Sequence, residues 1–501
     1  MATLAQATKV VKQGGTVVMR GGTYHQDALV YPHRGITIQP YLKEAVWLDG
    51  AEVVRGWSQS GNVWVKSGWN TNFDSSPTFV KGAPDGTAVG YVWINPAYPL
   101  AAHPDQVWVD GSPLTQVGSR AAVVAGAFFV DPGSKQLIIG TNPTGKRVEA
   151  STLQKALSIR SENGTVRGIG VKRYATSMPQ KGTVTADYPG ITLDNVTIVD
   201  NATTGFHTWS PNVTLNNVTL RNNGYMGFSV HRGDGFRATH VLSERNNSQH
   251  FNRTPGSGAM KVTETKTVSI RDSAFVDNWG QGVWFDMSVQ DIVFADNDVV
   301  GNEGNGLVLE QAERATVANN LVANNGIAGI FLTNTGNAAF WNNTLVGNVR
   351  NINIAEDARR GNSAVPWITR NTSFFNNIVA ADRGADCVMC VESWSKQLVG
   401  STMLTKSEGN LYQVPSTMRR FALWANAAKG ATSFSAFADY VGSTGRDKTS
   451  LALTASPVDK NFTLLSQYGG RSSAAQSIPS QVAAVSGLPA GSKLLGAQKR
   501  P

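Results

Sequence analysis

Several classes of protein are excluded by what this sequence of 501 residues has little of. It has only two cysteines, Cys387 and Cys390, three residues apart. That is too few for a disulfide-built scaffold, and a lone Cys-x-x-Cys without a second pair does not make a zinc site. A local disulfide in an exported protein, or two packed thiols, are the readings left. No run of eighteen apolar residues occurs, so no membrane-spanning helix is expected. The first residues, Met1-Ala-Thr-Leu-Ala-Gln6, lack the basic and apolar regions of a signal peptide. Charged residues are only 16%, which disfavours a fold of long amphipathic helices. Lysine and arginine exceed aspartate and glutamate by 44 to 35, a net charge of +9, but they are scattered. There is no dense basic run interleaved with aromatics, so nucleic acid is not an expected partner. An anionic polymer is compatible with that charge. Nothing in the sequence assigns an oligomeric state.

What is abundant is glycine, 51 residues, and it recurs with a period. Rows open at Gly205-Phe-His-Thr-Trp209, Gly227-Phe-Ser-Val-His231, Gly258-Ala-Met-Lys-Val262, Gly282-Val-Trp-Phe-Asp286, Gly306-Leu-Val-Leu-Glu310, Gly329-Ile-Phe-Leu-Thr333 and Asn351-Ile-Asn-Ile-Ala355. The spacings are 22, 31, 24, 24, 23 and 22. Each row carries a second apolar pulse, such as Ile292-Val-Phe294, and a third after an Asn or Asp, such as Asn320-Leu-Val322. Three short strands in a period of two dozen residues predict an all-β chain, a right-handed parallel β-helix. Asn278, Asn302, Asn324 and Asn348 recur at one turn, where asparagine tolerates left-handed backbone and can bond the amides above and below it.

The N-terminal stretch 1–55 reads as a cap and first coils, with a short helix over Leu4–Gln13 and strands at Gly15–Arg20 and Gly35–Gln39. From 56 to 148 the period breaks. Hairpin strands such as Gln106–Gly111, Gly126–Asp131 and Gln136–Gly140 predict an inserted, sandwich-like antiparallel module. Residues 149–400 form the β-helix core, and 401–501 the last coils and a tail packed on it. A helical stretch is expected over Phe421–Lys429.

Alternate strand residues point in and out. With Val283, Phe285, Leu307 and Leu309 inside, Trp284, Asp286 and Glu310 face outward. The same parity puts His207, Trp209, His231 and Lys261 outside. Stacked coils then build one outward column: Trp209, His231, Lys261, Asp286, Glu310, Thr333. Strands one rung apart lie about 4.8 Å from each other. Asp286 and Glu310 on neighbouring rungs therefore match the ~5–5.5 Å separation of the two carboxyl groups in retaining glycosidases. Asp286, the shorter, is the expected nucleophile and Glu310 the acid/base. His207, Trp209, His231, Lys261 and Trp284 are expected substrate contacts. Aromatic rings stack on sugar faces, and Lys261 beside Asp286 favours its ionised form. The coil holding Asn246–Ser257 is about seven residues too long, so it is expected to form a groove wall with Arg253 on the substrate. No cofactor is required, although two adjacent carboxylates could instead hold calcium.

Two other function classes fit the same row. A polysaccharide lyase would use Lys261 with His231 or Arg253 as base and charge neutraliser. A non-catalytic glycan-binding solenoid would use the aromatics alone.

The segments Gly22-Thr-Tyr24, Ile36-Thr-Ile-Gln-Pro40 and Trp47-Leu-Asp-Gly50, followed by an early β insertion, resemble glycoside hydrolase family 120, the β-xylosidases. Gly282-Val-Trp-Phe-Asp286 and Gly306-Leu-Val-Leu-Glu310 resemble that family's nucleophile and acid/base motifs. The resemblance implies a retaining glycosidase acting on a plant or microbial saccharide. Lys172-Arg-Tyr-Ala175 and Gly496-Ala-Gln498 resemble secreted bacterial members, which implies an exported protein whose signal is absent from this sequence. Family 141 hydrolases and the alginate and pectate lyases are similar in fold.

Overall fold

The computed structural model describes residues 3–86, 91–381 and 386–498. Most of its coils have three strands, paired in parallel with the equivalent strands one coil later, as in a right-handed parallel β-helix; in two coils one long strand, Thr192–Val199 or Thr214–Arg221, takes the place of two. The chain divides into two compact units, one of Met1–Ser210, Asn217–Ser229 and Arg245–Ser257, the other of Pro211–Asn216, Val230–Glu244 and Gly258–Pro501.

In the first unit, Thr3 caps a helix over Leu4–Val10 by accepting the Gln6 amide. The helix is shorter than expected, since Gly14 and Gly15 follow and favour a turn. Strand Thr16–Met19 pairs in parallel with Thr37–Pro40, and Gly22–Tyr24 with Val46–Asp49. The chain then leaves the coil and returns in register: Gly170–Lys172 lies directly on Trp47–Asp49, and Leu157–Ile159 on Ala28–Val30.

The excursion builds two small sheets. Val63–Ser67, Gln136–Ile139 and Ala127–Asp131 pair antiparallel, as do Ala51–Val53, Val148–Ser151 and Val107–Val109. Val107, Val109, Phe128, Leu137, Ile139 and Val148 fill the space inside. Buried Arg173 joins the excursion to the coil, bonding Asp49 Oδ1 at 3.0 Å and Glu149 Oε2 at 3.0 Å. Two buried carboxylates flanking one guanidinium satisfy the rule that buried charge must be paired.

In the second unit, one face carries Gly258–Thr263, Gln281–Asp286, Leu307–Glu310, Ala328–Thr333, Arg350–Glu356 and Met389–Ser393 in unbroken parallel succession. The other two faces repeat in the same way. Interior positions are apolar, and Phe275, Phe285 and Phe294 meet ring to ring.

Two internal asparagine ladders run through this unit. Asn278, Asn302, Asn325 and Asn348 form one, in which the side chains of Asn302, Asn325 and Asn348 each accept from the backbone and side-chain N–H of the Asn one coil before. Asn297, Asn320, Asn343, Asn377 and Asn410 form the other. Asn324, expected in the first ladder, is instead the neighbouring turn residue, with φ +57°. Both roles suit asparagine, which is why the sequence pattern alone misplaces the register by one.

The stretch Phe421–Lys429 is not a continuous helix. Ala422–Ala425 is a strand pairing with Met389–Val391, and only Ala427–Lys429 forms a 3₁₀ turn. An exposed strand edge at the end of the stack outweighs alanine's helix propensity. Cys387 and Cys390 form a disulfide and are buried. In the tail, Ile478, Val482 and Leu488 pack on Ala295, Ala318 and Trp341.

Candidate active site

The outward row in the second unit is real but laid out differently from the expected single column. Thr263, not Lys261, stands opposite Asp286; Lys261 stands opposite Trp284. Two parallel columns therefore run side by side, Lys261–Trp284–Val308–Phe331 and Thr263–Asp286–Glu310–Thr333. Lys261 and Asp286 both face outward, but Lys261 lies three residues after Gly258 and Asp286 four after Gly282; with Gly258 paired to Gln281, the residue opposite Asp286 is Thr263, two beyond Lys261.

Lys261 still reaches the carboxylates, because its side chain is long enough to cross between columns. Its ammonium lies 3.5 Å above the Trp284 ring centroid and 2.8 Å from Asp286 Oδ2. The Trp284 indole N–H donates to Glu310 Oε2 at 3.1 Å. Trp284 is buried, with one ring face taken by the ammonium. It links Lys261 to Glu310 rather than forming the open sugar platform expected from parity. His231 Nδ1 lies 2.9 Å from Thr263 Oγ1, so it reaches the row through the threonine beside Asp286.

Asp286 is buried, and its Oδ1 accepts the backbone N–H of Met287 at 2.7 Å. Met287 and Ser288 have φ of +53° and +71°, two successive left-handed residues. That backbone is costly for side-chain-bearing residues. It is held where Trp367 Nε1–H donates to Ser288 Oγ at 2.9 Å.

Glu310 faces a different environment. Arg359 Nη1 lies 2.7 Å from its Oε1, and Arg359 Nη2 lies 2.7 Å from Asp357 Oδ2. Burial pushes the Glu310 carboxyl above its ordinary range, and the neighbouring Asp286 charge pushes the same way. The positive charges of Arg359 and Lys261 oppose this without cancelling it. A carboxyl that keeps its proton to higher pH, beside a carboxylate in an ion pair, is an acid next to an anion.

Arg359, Asp357, Trp367 and Thr263 were not singled out in the sequence. A signal was there. Successive ladder asparagines lie 23 residues apart from Asn320 to Asn343 but 34 apart from Asn343 to Asn377. The lengthened coil carries Arg359 and Trp367 beyond Glu356.

The remaining expected contacts belong to the first unit. His207 is buried, with Nδ1 2.7 Å from Ser229 Oγ. Trp209 is 39% exposed. Arg253 is exposed at the start of a short turn, Arg253–Gly256. The lengthened coil around it docks on the excursion: the Asn252 amide donates to Trp93 O at 2.9 Å, and His250 stacks on Tyr98 at 4.3 Å. No group of three or more His, Cys, Asp or Glu side chains able to hold a metal occurs among the described residues. No helix among them is long and apolar enough to cross a membrane.

Comparison with known proteins bears on the fold. A family model described as a right handed beta helix region matches residues 155–349. No curated protein matches the sequence. Among solved structures, a complex of XylC with xylose aligns at 14% identity over 75% of this chain and 72% of that one, with a TM-score of 0.59. The A-module of the mannuronan C-5 epimerase AlgE6 of Azotobacter vinelandii aligns at 12% identity over 83% and 88%, TM-score 0.46. A protein described as a glycoside hydrolase aligns at 11% identity over 93% and 96%, TM-score 0.41. At such identities the shared property is architecture, and the chain is a right-handed parallel β-helix.

Proposed function

We propose that the chain is a retaining glycoside hydrolase, with Asp286 as nucleophile and Glu310 as acid/base. The observation that carries this reading is the pair itself. A buried carboxylate and a half-buried carboxyl group stand on neighbouring rungs, the first ion-paired to an ammonium and the second shifted toward its protonated form. Rung spacing of about 4.8 Å is nearer the ~5–5.5 Å carboxyl separation of retaining enzymes than the ~6.5–9.5 Å that admits the water of an inverting one.

In the first step Glu310 donates its proton to the glycosidic oxygen as an Asp286 oxygen bonds to the anomeric carbon. The bond to the leaving alcohol breaks. In the second, the Glu310 carboxylate takes a proton from water, whose oxygen attacks the anomeric carbon. The ester to Asp286 breaks and Asp286 departs as a carboxylate. Lys261 faces Asp286 throughout. Arg359 favours the anionic form of Glu310 needed before the second step.

A lyase acting through Lys261 is less well supported, because that ammonium is committed to Asp286 at 2.8 Å. The fold is shared with XylC, solved with xylose, which makes short neutral saccharides apt first substrates. The Cys387–Cys390 disulfide fits an exported protein.

The test is a panel of aryl glycosides and oligosaccharides, with the first-formed anomer read by proton NMR. Retention at the anomeric carbon is expected, with loss of turnover in Asp286→Asn and Glu310→Gln. Full activity in either variant, or inversion, refutes the assignment. Absorbance growing near 235 nm on a polyuronate would establish the lyase instead.

A further inference from the structure

The first unit holds a second polar patch that uses none of the residues given a part in the two hydrolytic steps. Its outward column runs Ser158–Thr185–His207 by strand register. Two residues further along, just past the end of each strand, stand Arg160, Asp187 and Trp209. Lys155 and Lys181 enter from the turns before these strands. The charges of Asp187, Arg160 and Lys181 all act on Lys155.

Three features of this patch are unusual together. Thr185 is fully buried, yet its hydroxyl has no hydrogen-bond partner. Asp187 binds Arg160 through Oδ2 at 3.4 Å, while its buried Oδ1 has no partner. The Lys155 ammonium makes no hydrogen bond or ion pair among the described residues, although burial is the main influence on it and lowers its pKa. Leaving buried atoms such as Thr185 Oγ1 and Asp187 Oδ1 unsatisfied is unfavourable. A patch that concentrates them is shaped for something that supplies the missing partners.

Beside these groups stands an aromatic platform. Trp209 is 39% exposed, and the Lys181 ammonium lies 5.4 Å from its ring centroid. His207 borders the same ring, at 5.2 Å between centroids. A sugar laid on this indole meets a cation at once. A neutral sugar has to displace it, whereas a sugar carboxylate pairs with it. Three cations against the single Asp187 set the sign of the preferred ligand.

We propose that Lys155, Lys181, Thr185, Asp187 and Trp209 form a binding site for an acidic saccharide, a uronate whose ring stacks on Trp209. The uronate carboxylate pairs with Lys155 and Lys181. Ring hydroxyls, each both donor and acceptor, satisfy Thr185 Oγ1 and Asp187 Oδ1. Arg160 holds Asp187 in place from its other oxygen. The site stands apart from the hydrolase reading and does not depend on it.

The probes are tri-galacturonic acid and its fully methyl-esterified form, which differ in charge and keep the sugar rings. Binding is measured by calorimetry on the full chain and on Glu310→Gln, where turnover cannot obscure it. The acid is expected to bind at least about tenfold tighter than the ester, a difference that one charge-assisted bond supplies. That advantage shrinks as salt rises. Lys155→Met and Lys181→Met each remove most of the advantage and leave the weak binding of the ester unchanged; Lys155→Arg retains it. Lys181 is exposed, so its variant keeps the test open if Lys155→Met does not fold. Equal affinity for acid and ester, or acid binding unaltered in both methionine variants, overturns the proposal. Absence of hydrolysis on every glycan would leave these results intact and count only against the catalytic pair.

Discussion

Removing Lys261 is the sharpest perturbation of the carboxylate pair. Its ammonium and the Asp286 carboxylate are 2.8 Å apart, with side chains only 15% and 10% exposed. Deleting one partner of a buried ion pair costs about 3–5 kcal/mol. The residual solvent access here points to the lower end, about 3 kcal/mol for Lys261→Met. The two single variants are not equivalent. In Asp286→Asn the ammonium keeps the Trp284 ring at 3.5 Å, an interaction worth about 1–2 kcal/mol when desolvated. In Lys261→Met the Asp286 carboxylate keeps only the Met287 amide at 2.7 Å and faces Glu310 across one rung. Lys261→Met is therefore expected to be the costlier, and the double variant to recover about 2 kcal/mol of the summed penalties.

A long stack of coils need not unfold in one step, so a global melting curve is the wrong assay. Amide hydrogen exchange read by mass spectrometry isolates the coils concerned. Protection across Gln281–Asp286 and Leu307–Glu310 is expected to fall by about a hundredfold in Lys261→Met, since each 1.4 kcal/mol is a factor of ten. A change below about fivefold, or a larger loss in Asp286→Asn, would refute the view that Lys261 compensates a buried negative charge.

Three further outcomes follow. Arg359→Leu removes a charge that holds Glu310 down, so the alkaline limb of any pH–rate profile should move to higher pH; movement to lower pH contradicts the assignment of Glu310 as the acid. Because the folded-state pKa of Glu310 is raised, the folded chain binds more protons than the unfolded one above the ordinary glutamate range of about 4.3, and stability falls as pH rises through that window. Hydrogen exchange across Leu307–Glu310 in Glu310→Gln at several pH values, corrected for the intrinsic exchange rate, should show that slope reduced; an unchanged slope refutes it. Asn325→Ala breaks four buried hydrogen bonds, to Asn302 twice, Val299 and Asn348, and should cost about 3 kcal/mol by exchange. Asn324→Gly next to it, at φ +57°, should cost under about 1 kcal/mol, and equal costs would refute the ladder assignment.

The period of glycines and asparagines made the coils readable because each coil buries the same three apolar pulses. Parity within a strand was readable too, which is why Trp284, Asp286 and Glu310 were placed outward. What the pattern could not carry is register between rows. Parity allows either Lys261 or Thr263 opposite Asp286; the backbone pairs Gly258 with Gln281, which selects Thr263 and leaves Lys261 one outward position short of the Asp286 column. Contacts from lengthened coils were harder still. Arg359 and Trp367 lie in a segment with no period of its own, and they meet Glu310 and Ser288 from 49 and 79 positions away. Trp284 shows the limit of parity: facing outward is not the same as being exposed, because Lys261 covers it.

The distance between Asp286 and Glu310 is a property of the core rather than of the site. A slip of one residue between neighbouring coils would turn Asp286 inward and Phe285 outward. Two things oppose that slip. The phenylalanines that meet around Phe285 fill the interior, and Asn302 to Asn325 is bonded side chain to backbone just ahead of strand Leu307–Glu310. Neither feature touches a substrate. The turn after Asp286 is different. Single left-handed residues follow Glu310 and Thr333, at Gln311 and Asn334, but after Asp286 there are two, Met287 and Ser288, and Trp367 secures the second. The repeat explains the common single residue. At this rung the Met287 N–H points at Asp286 Oδ1 and so orients the carboxylate that must attack. Strain is placed at one rung of an otherwise regular stack, and that rung carries the proposed nucleophile.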